Sequence, residues 1–182
     1  MLLQETKNQS ENLFQGKVIY YSGSIRGHDA DKELAYRIVA FMQENGANVL
    51  DPHVTARNAE ERSRLFYETS GINIAAIKSR TKRAMVARKQ DLEWVDKASH
   101  LVALVTDPSL GVGIEIEHTI TKPRLGLNKT PMLFLVSEEI YKQDKFSNMI
   151  LGINPREADY AVGVYKTEED IQWMITEFLT SH

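Results

Sequence analysis

Five apolar residues in a row, Leu101-Val102-Ala103-Leu104-Val105, run almost directly into the small-residue segment Asp107-Pro108-Ser109-Leu110-Gly111-Val112-Gly113-Ile114-Glu115. The apolar run predicts a buried strand. The following segment predicts a tight loop that leaves the strand end and opens a helix, with one carboxylate in or near the first turn. Backbone N–H groups at a helix start favour anions. They would hold Glu115 ionised or bind a substrate phosphate beside it. An ionised carboxylate at the open end of a sheet can act as a nucleophile or stabilise a cation. Many first-turn acids only complement the helix dipole, and this segment alone favours that plainer reading.

The rest of the chain repeats the alternation. Lys17 to Ser22 predicts a first strand, followed by the loop Gly23-Ser24-Ile25-Arg26-Gly27. Leu34, Ile38, Val39 and Met42 mark one face of a helix over 29–45, which Asn45-Gly46 ends. A short strand follows at 47–50. Residues 53–82 are rich in charge and lack strand alternation; 57–67 and 72–80 both admit helix. A firmer helix covers 84–97, and the Glu115 helix runs to about Thr121. Further strands are predicted at 131–136 and 160–164, around a mostly looped 138–150. A last helix spans 166–179, with Ile171, Met174, Ile175 and Phe178 spaced for burial. Trp94 and Trp173 both lie in helices as expected packing residues. Residues 1–16 are mostly polar and predict a disordered tail, leaving 17–182 as one domain.

Strands alternating with helices imply right-handed βαβ units and a five-stranded parallel sheet flanked by helices, a Rossmann-like, flavodoxin-like α/β fold. Ligands bind outside the carboxyl ends of the strands in such folds. The loops at 23–27 and 106–113 both leave strand carboxyl ends, so they converge on one rim. That convergence argues for a site.

Composition narrows the partners. A net charge of −3 argues against a general nucleic-acid or membrane-surface binder. The chain has no cysteine, which excludes disulfides, zinc–thiolate sites and cysteine nucleophiles. No apolar run approaches the ~18 residues of a membrane span, and no secretory leader is evident. A cytoplasmic protein is the default expectation. His53, His100 and His118 show no metal-ligand spacing, and His28 reads as an exposed loop residue.

Gly23 and Gly27 allow a ligand close to the backbone. Ser24 can donate a hydrogen bond, and Arg26 can grip phosphate through two parallel bonds. The alternative is a plain strand-to-helix turn with an exposed arginine. Asp91, in Asp91-Leu92-Glu93-Trp94, can face the strand ends from the preceding helix. A buried carboxyl there could stay protonated at neutral pH and donate its proton. Asp91 and Glu115, in different environments, would then divide acid and nucleophile roles. Glu93 reads as solvated.

Tyr20-Tyr21-Ser22-Gly23-Ser24-Ile25-Arg26-Gly27, Gln90-Asp91-Leu92-Glu93-Trp94 and Thr106 through Glu115, with Phe146-Ser147-Asn148-Met149-Ile150 as a fourth segment, closely resemble the 2'-deoxynucleoside 5'-phosphate N-hydrolases of the nucleoside 2-deoxyribosyltransferase superfamily. The resemblance covers about residues 17–180 in the family's order. It implies a Rossmann-like homodimer that hydrolyses the bond between base and deoxyribose in a nucleoside monophosphate, giving free base and 2-deoxyribose 5-phosphate, with no metal or organic cofactor. By motif, it implies Glu115 as nucleophile, Asp91 as the group assisting departure of the base, and Tyr20 beside the sugar. Gly23, Ser24, Ile25, Arg26, Gly27, Ser109 and Gly111 would form the substrate and phosphate cradle. Ser147 and Met149 would come from the neighbouring subunit, to the phosphate and the base respectively.

Residues 53 to about 85 are longer than the corresponding part of compact relatives. They and the residues just after them carry Lys78, Arg80, Lys82, Arg83, Arg88 and Lys89, which read best as a solvated helical face. Ile114 stands where an aromatic is common, and should point away from the site. Rival readings are a deoxyribosyltransferase, a ribonucleoside monophosphate N-glycosidase of the cytidine monophosphate type, and a non-enzymatic nucleotide sensor. The phosphate set disfavours the first, and the presence of both acids disfavours the last.

Overall fold

The computed structural model describes residues 12–24, 29–50 and 56–182, the side chains of 29–31 excepted. Five strands form one sheet: β1 (Val18–Ser22), β2 (Asn48–Leu50), β3 (His100–Leu104), β4 (Met132–Ser137) and β5 (Tyr160–Tyr165). Their spatial order is β2-β1-β3-β4-β5, and every pairing is parallel. Seven α-helices flank the sheet: α1 (Asp29–Glu44), α2 (Ala59–Ser70), α3 (Arg80–Lys97), α4 (Leu110–Thr121), α5 (Glu138–Lys142), α6 (Asn148–Leu151) and α7 (Glu168–Ser181). The expected flavodoxin-like α/β architecture is therefore present.

Strand alternation divides the core into two layers. Ile19 and Tyr21 of β1, with Val102 and Leu104 of β3, face Ile38, Val39 and Met42 of α1 and Ile171, Ile175 and Leu179 of α7. Tyr20, Leu101 and Ala103 face the opposite way, toward Phe66, Trp94, Val95, Val112 and Ile116 of α2, α3 and α4. The helices that follow β1 and β3 thus pack on opposite faces. Neighbouring strands whose helices diverge leave a crevice at their carboxyl ends, the usual ligand position in an open α/β sheet.

Several boundaries differ from the sequence reading. Residues 12–16 form turns, and Phe14 is fully buried against α1, meeting Phe41 edge-on at 5.9 Å. Its N–H donates to Asn45 O, so the packed body begins before Lys17. Over 72–79, helix is confined to a 3₁₀ turn at Ile74–Ala76. The reason is local: α2 ends at Gly71 in the left-handed region (φ 73°), and Asn73 accepts from Ala76 N–H. Ser79 then caps α3 four residues earlier than predicted. Within 138–150 there are two short helices, α5 and the start of α6. Trp94 packs on Phe66 as expected (5.6 Å between ring centres), whereas Trp173 is 65% exposed. α7 buries Ile171, Ile175 and Phe178, which turns position 173 outward. Lys78, Arg80, Lys82, Arg88 and Lys89 are exposed as anticipated, and Arg83 ties down its own approach loop through Ile77 O (2.7 Å) and Lys78 O (3.1 Å).

Lys122, just after α4, is 1% exposed. Its Nζ donates to Val95 O (2.8 Å), Ala98 O (3.0 Å) and Thr130 Oγ1 (2.6 Å). A buried cation thereby satisfies carbonyls at the carboxyl end of α3. Among the described residues no helix is long and apolar enough to cross a membrane.

Candidate active site

The crevice between the carboxyl ends of β1 and β3 collects groups from three elements. From β1 come Tyr20 and Ser22, two residues apart and therefore on one side of the sheet, both fully buried. Their β3 neighbours in register are Leu101 and Ala103. From α3 comes Asp91, on the face that buries Gln90, Trp94 and Val95. From α4 comes Glu115, on the face that buries Val112, Ile116 and Thr119.

Glu115 lies in the second turn of α4, because Ser109 is the N-cap and Leu110 the first helical residue. The helix-start amides expected to hold its charge are one turn away. Hydroxyls take that role. Ser22 Oγ donates to Glu115 Oε2, and the Tyr20 hydroxyl also hydrogen-bonds the Glu115 side chain. Burial pushes the Glu115 carboxyl above its ordinary range, and these two hydroxyls oppose the rise. Burial first, and the facing Glu115 charge second, carry Asp91 from 3.8 to about 7. The two acids therefore differ in character: Asp91 retains a proton near neutrality, while donors to Glu115 favour its carboxylate. Ser22 closes the strand reading but is absent from the site predicted by sequence. The available signal is a hydroxyl two residues beyond Tyr20 at the end of an apolar strand.

Gly23 and Ser24, at the end of β1, share a small cavity of about 10 Å³ with Thr106 and Asp107 after β3, so the two loops do converge. Ile25, Arg26 and Gly27 of the expected cradle, and His28 and His53, lie outside the described residues. Ser109 Oγ accepts from Val112 N–H at 3.4 Å. Gly111 follows in the first turn of α4. A methyl placed there would sit 3.7 Å from Ser109 Oγ and 4.0 Å from Glu115 Oε1, so Oε1 faces this glycine.

A larger cavity of about 840 Å³ runs along α4, lined by Ser109, Val112, Ile116, Ile120, Ser147 and Met149 among others. Neither acid lines it. Within one chain, Ser147 and Met149 are thus placed beside Ser109 across this groove, exposed, with Met149 at 85%. Ile114 also lines the groove, beside Ser109 and with Ser147 and Met149.

No protein-family model matches the chain. It is 32% identical over 163 residues to a Nematostella vectensis protein named "Putative 2'-deoxynucleoside 5'-phosphate N-hydrolase 1", covering 90% of this chain and 94% of that protein. The chain belongs to the 2'-deoxynucleoside 5'-phosphate N-hydrolase family. A protein of the same name from Methanosarcina mazei is 31% identical over 163 residues, 90% of this chain and 84% of that one. The 5-hydroxymethyl-dUMP N-hydrolase of Homo sapiens is 36% identical over 102 residues, 56% of this chain and 50% of that protein. The chain thus spans about half the length of the human relative it matches.

Proposed function

We propose that this protein hydrolyses the N-glycosidic bond of 2'-deoxynucleoside 5'-monophosphates, releasing the base and 2-deoxyribose 5-phosphate. The observation that carries this reading is the unequal pair of acids, Asp91 and Glu115, brought together at the crevice between β1 and β3. Glycosidic cleavage passes through an oxocarbenium-like state that a nearby carboxylate stabilises. Glu115 attacks the anomeric carbon as the electron pair of the C–N bond leaves with the base. Asp91 supplies the proton that the departing base needs. Water then attacks the same carbon and gives its proton to Asp91, and the electron pair of the sugar–Glu115 bond returns to the carboxylate.

Ser24, Arg26, Gly27 and Ser109 would hold the 5'-phosphate, with Tyr20 beside the sugar. Ser147 and Met149 would complete the site of a second subunit in a homodimer; their exposure beside the groove on α4 supports that arrangement. A site for nucleoside monophosphates in a cysteine-free chain suits the cytoplasm.

The test is chromatography of the full chain incubated with the four deoxynucleoside monophosphates, 5-hydroxymethyl-dUMP, the ribose counterparts and one unphosphorylated deoxynucleoside. Free base from deoxy monophosphates alone is the expected result, and Glu115→Gln abolishes it. Base released from ribonucleotides alone would replace deoxyribose by ribose in this reading. Full hydrolysis by Glu115→Gln would remove the mechanism. For the dimer, mixing Glu115→Gln with Ser147→Ala subunits should restore activity that each lacks alone.

A further inference from the structure

We infer that Ser22 is a positioning residue for the nucleophile: its buried hydroxyl fixes Oε2 of Glu115 and leaves Oε1 to meet the sugar. This rests on the reading of Glu115 as nucleophile. Two geometric observations carry it. Ser22, the last residue of β1, is fully buried and donates through Oγ to Glu115 Oε2. Oε1 faces another way, toward Gly111, where a methyl would stand 4.0 Å from it and 3.7 Å from Ser109 Oγ. One oxygen is thus anchored to the strand, and the other faces the first turn of α4, just after Ser109 of the proposed phosphate cradle.

The anchor has a consequence at each chemical step. A hydroxyl donated to Oε2 draws negative charge there and locks the carboxylate plane, so attack comes from Oε1. When the Oε1–C1' bond forms and the base leaves with the C1'–N electron pair, Oε2 becomes the carbonyl oxygen of the sugar ester. It still accepts from Ser22. When water displaces Glu115, with its proton passing to Asp91, the electron pair of the Oε1–C1' bond returns to the carboxylate. The same hydroxyl then stabilises the re-forming anion.

The groups that face the Glu115 carboxylate are Ser22 and Tyr20 from β1 and Asp91 from α3. Removing the Ser22 hydroxyl leaves burial opposed by Tyr20 alone, so Glu115 should take up its proton at higher pH. Ser22 has no place in the phosphate cradle, so substrate affinity should change little.

The test compares wild type, Ser22→Ala, Ser22→Cys and Glu115→Gln on the deoxynucleoside monophosphate that wild type cleaves. Ser22→Ala should lower kcat roughly 10- to 100-fold, the range for loss of a hydrogen bond to a charged group. KM should hold within about twofold, the acid limb of the kcat–pH profile should move upward, and the weak thiol donor should give an intermediate rate. Carbon-13 NMR titration of the Glu115 carboxyl gives the same contrast without turnover, with a higher midpoint in Ser22→Ala. An unchanged kcat and midpoint in Ser22→Ala would overturn the inference while leaving Glu115 as nucleophile. An active Glu115→Gln would instead overturn the reading on which it rests.

Discussion

Replacing Asp91 by Asn should stabilise the folded protein, by an amount that grows with pH. Burial and the Glu115 charge carry the Asp91 carboxyl from 3.8 to about 7. Between those values the unfolded chain has released this proton while the folded chain still holds it. The folded state binds more protons, so stability falls as pH rises through the window. Below it both states are protonated and the group costs nothing; above it both are ionised and the full cost is present. At about 1.4 kcal/mol per tenfold change in acidity, the interval amounts to about 4 kcal/mol. Asp91 is partly open to solvent, which screens the charge and reduces the expected effect to about 2 kcal/mol. Asn keeps the shape of the side chain and carries no charge. Urea unfolding of wild type and Asp91→Asn should therefore differ by only about 0.5 kcal/mol near pH 4.5, at the start of the window. At pH 8 the variant should be more stable by about 2 kcal/mol, with greatly reduced hydrolysis. Glu115, also raised by burial, adds a slope of the same sign to both proteins, and the difference between them isolates Asp91 with its coupling to Glu115. A stability difference that stays flat from pH 4.5 to 8, or that favours wild type at pH 8, would refute the reasoning.

Three further outcomes follow from the packing. Lys122→Met should cost about 2 kcal/mol in chemical denaturation, since Val95 O and Ala98 O lose their bonds to the ammonium and keep only the longer ones from Ala98 N–H (3.3 Å) and Thr130 Oγ1 (3.2 Å). A loss below about 1 kcal/mol would mean that water replaces it. Phe14→Ala should lower stability by about 3 kcal/mol, the usual cost of truncating a buried aromatic; no change would place 12–16 outside the cooperative fold. Ser109→Ala should weaken the cap of α4 by about 0.5–1 kcal/mol in thermal unfolding. It should also raise KM for a monophosphate about tenfold, as expected for one lost bond to a charged group, without altering kcat.

Most of the sheet is legible because buried parallel strands are short apolar runs, and 101–105 and 131–136 have little else to be. α1 and α7 are legible because their apolar residues recur on one face. The acids are legible through their motifs. What escapes has a common cause: its meaning depends on residues far away in sequence. Phe14 sits among polar neighbours, and only the chain closing onto α1 shows that it is core. Lys122, in Thr121-Lys122-Pro123-Arg124, looks solvated until the carbonyls at the end of α3 arrive around it. Ser22 looks like a strand's polar end until α4 brings Glu115 to it. The turn that holds Glu115 shifts because the cap is Ser109 and not a residue nearer the acid. The stretch at 72–79 does not form an α-helix because Gly71 and Asn73 close and reopen the chain locally.

The division of labour proposed for the two acids would follow from where the chain places them, since an isolated Asp and Glu differ little in acidity. Glu115 rises from α4 toward the end of β1, where strand alternation puts two hydroxyls, Tyr20 and Ser22, on its side of the sheet. Asp91 descends from α3 among Gln90, Trp94 and Val95, where burial and its neighbour's charge both favour the protonated form. That arrangement requires α3 and α4 to keep their relative depth, and the two helices are joined at their carboxyl ends by Lys122, which follows α4 and grips Val95 O and Ala98 O at the end of α3. Lys122 thereby ties together the ends of the two helices that carry Asp91 and Glu115.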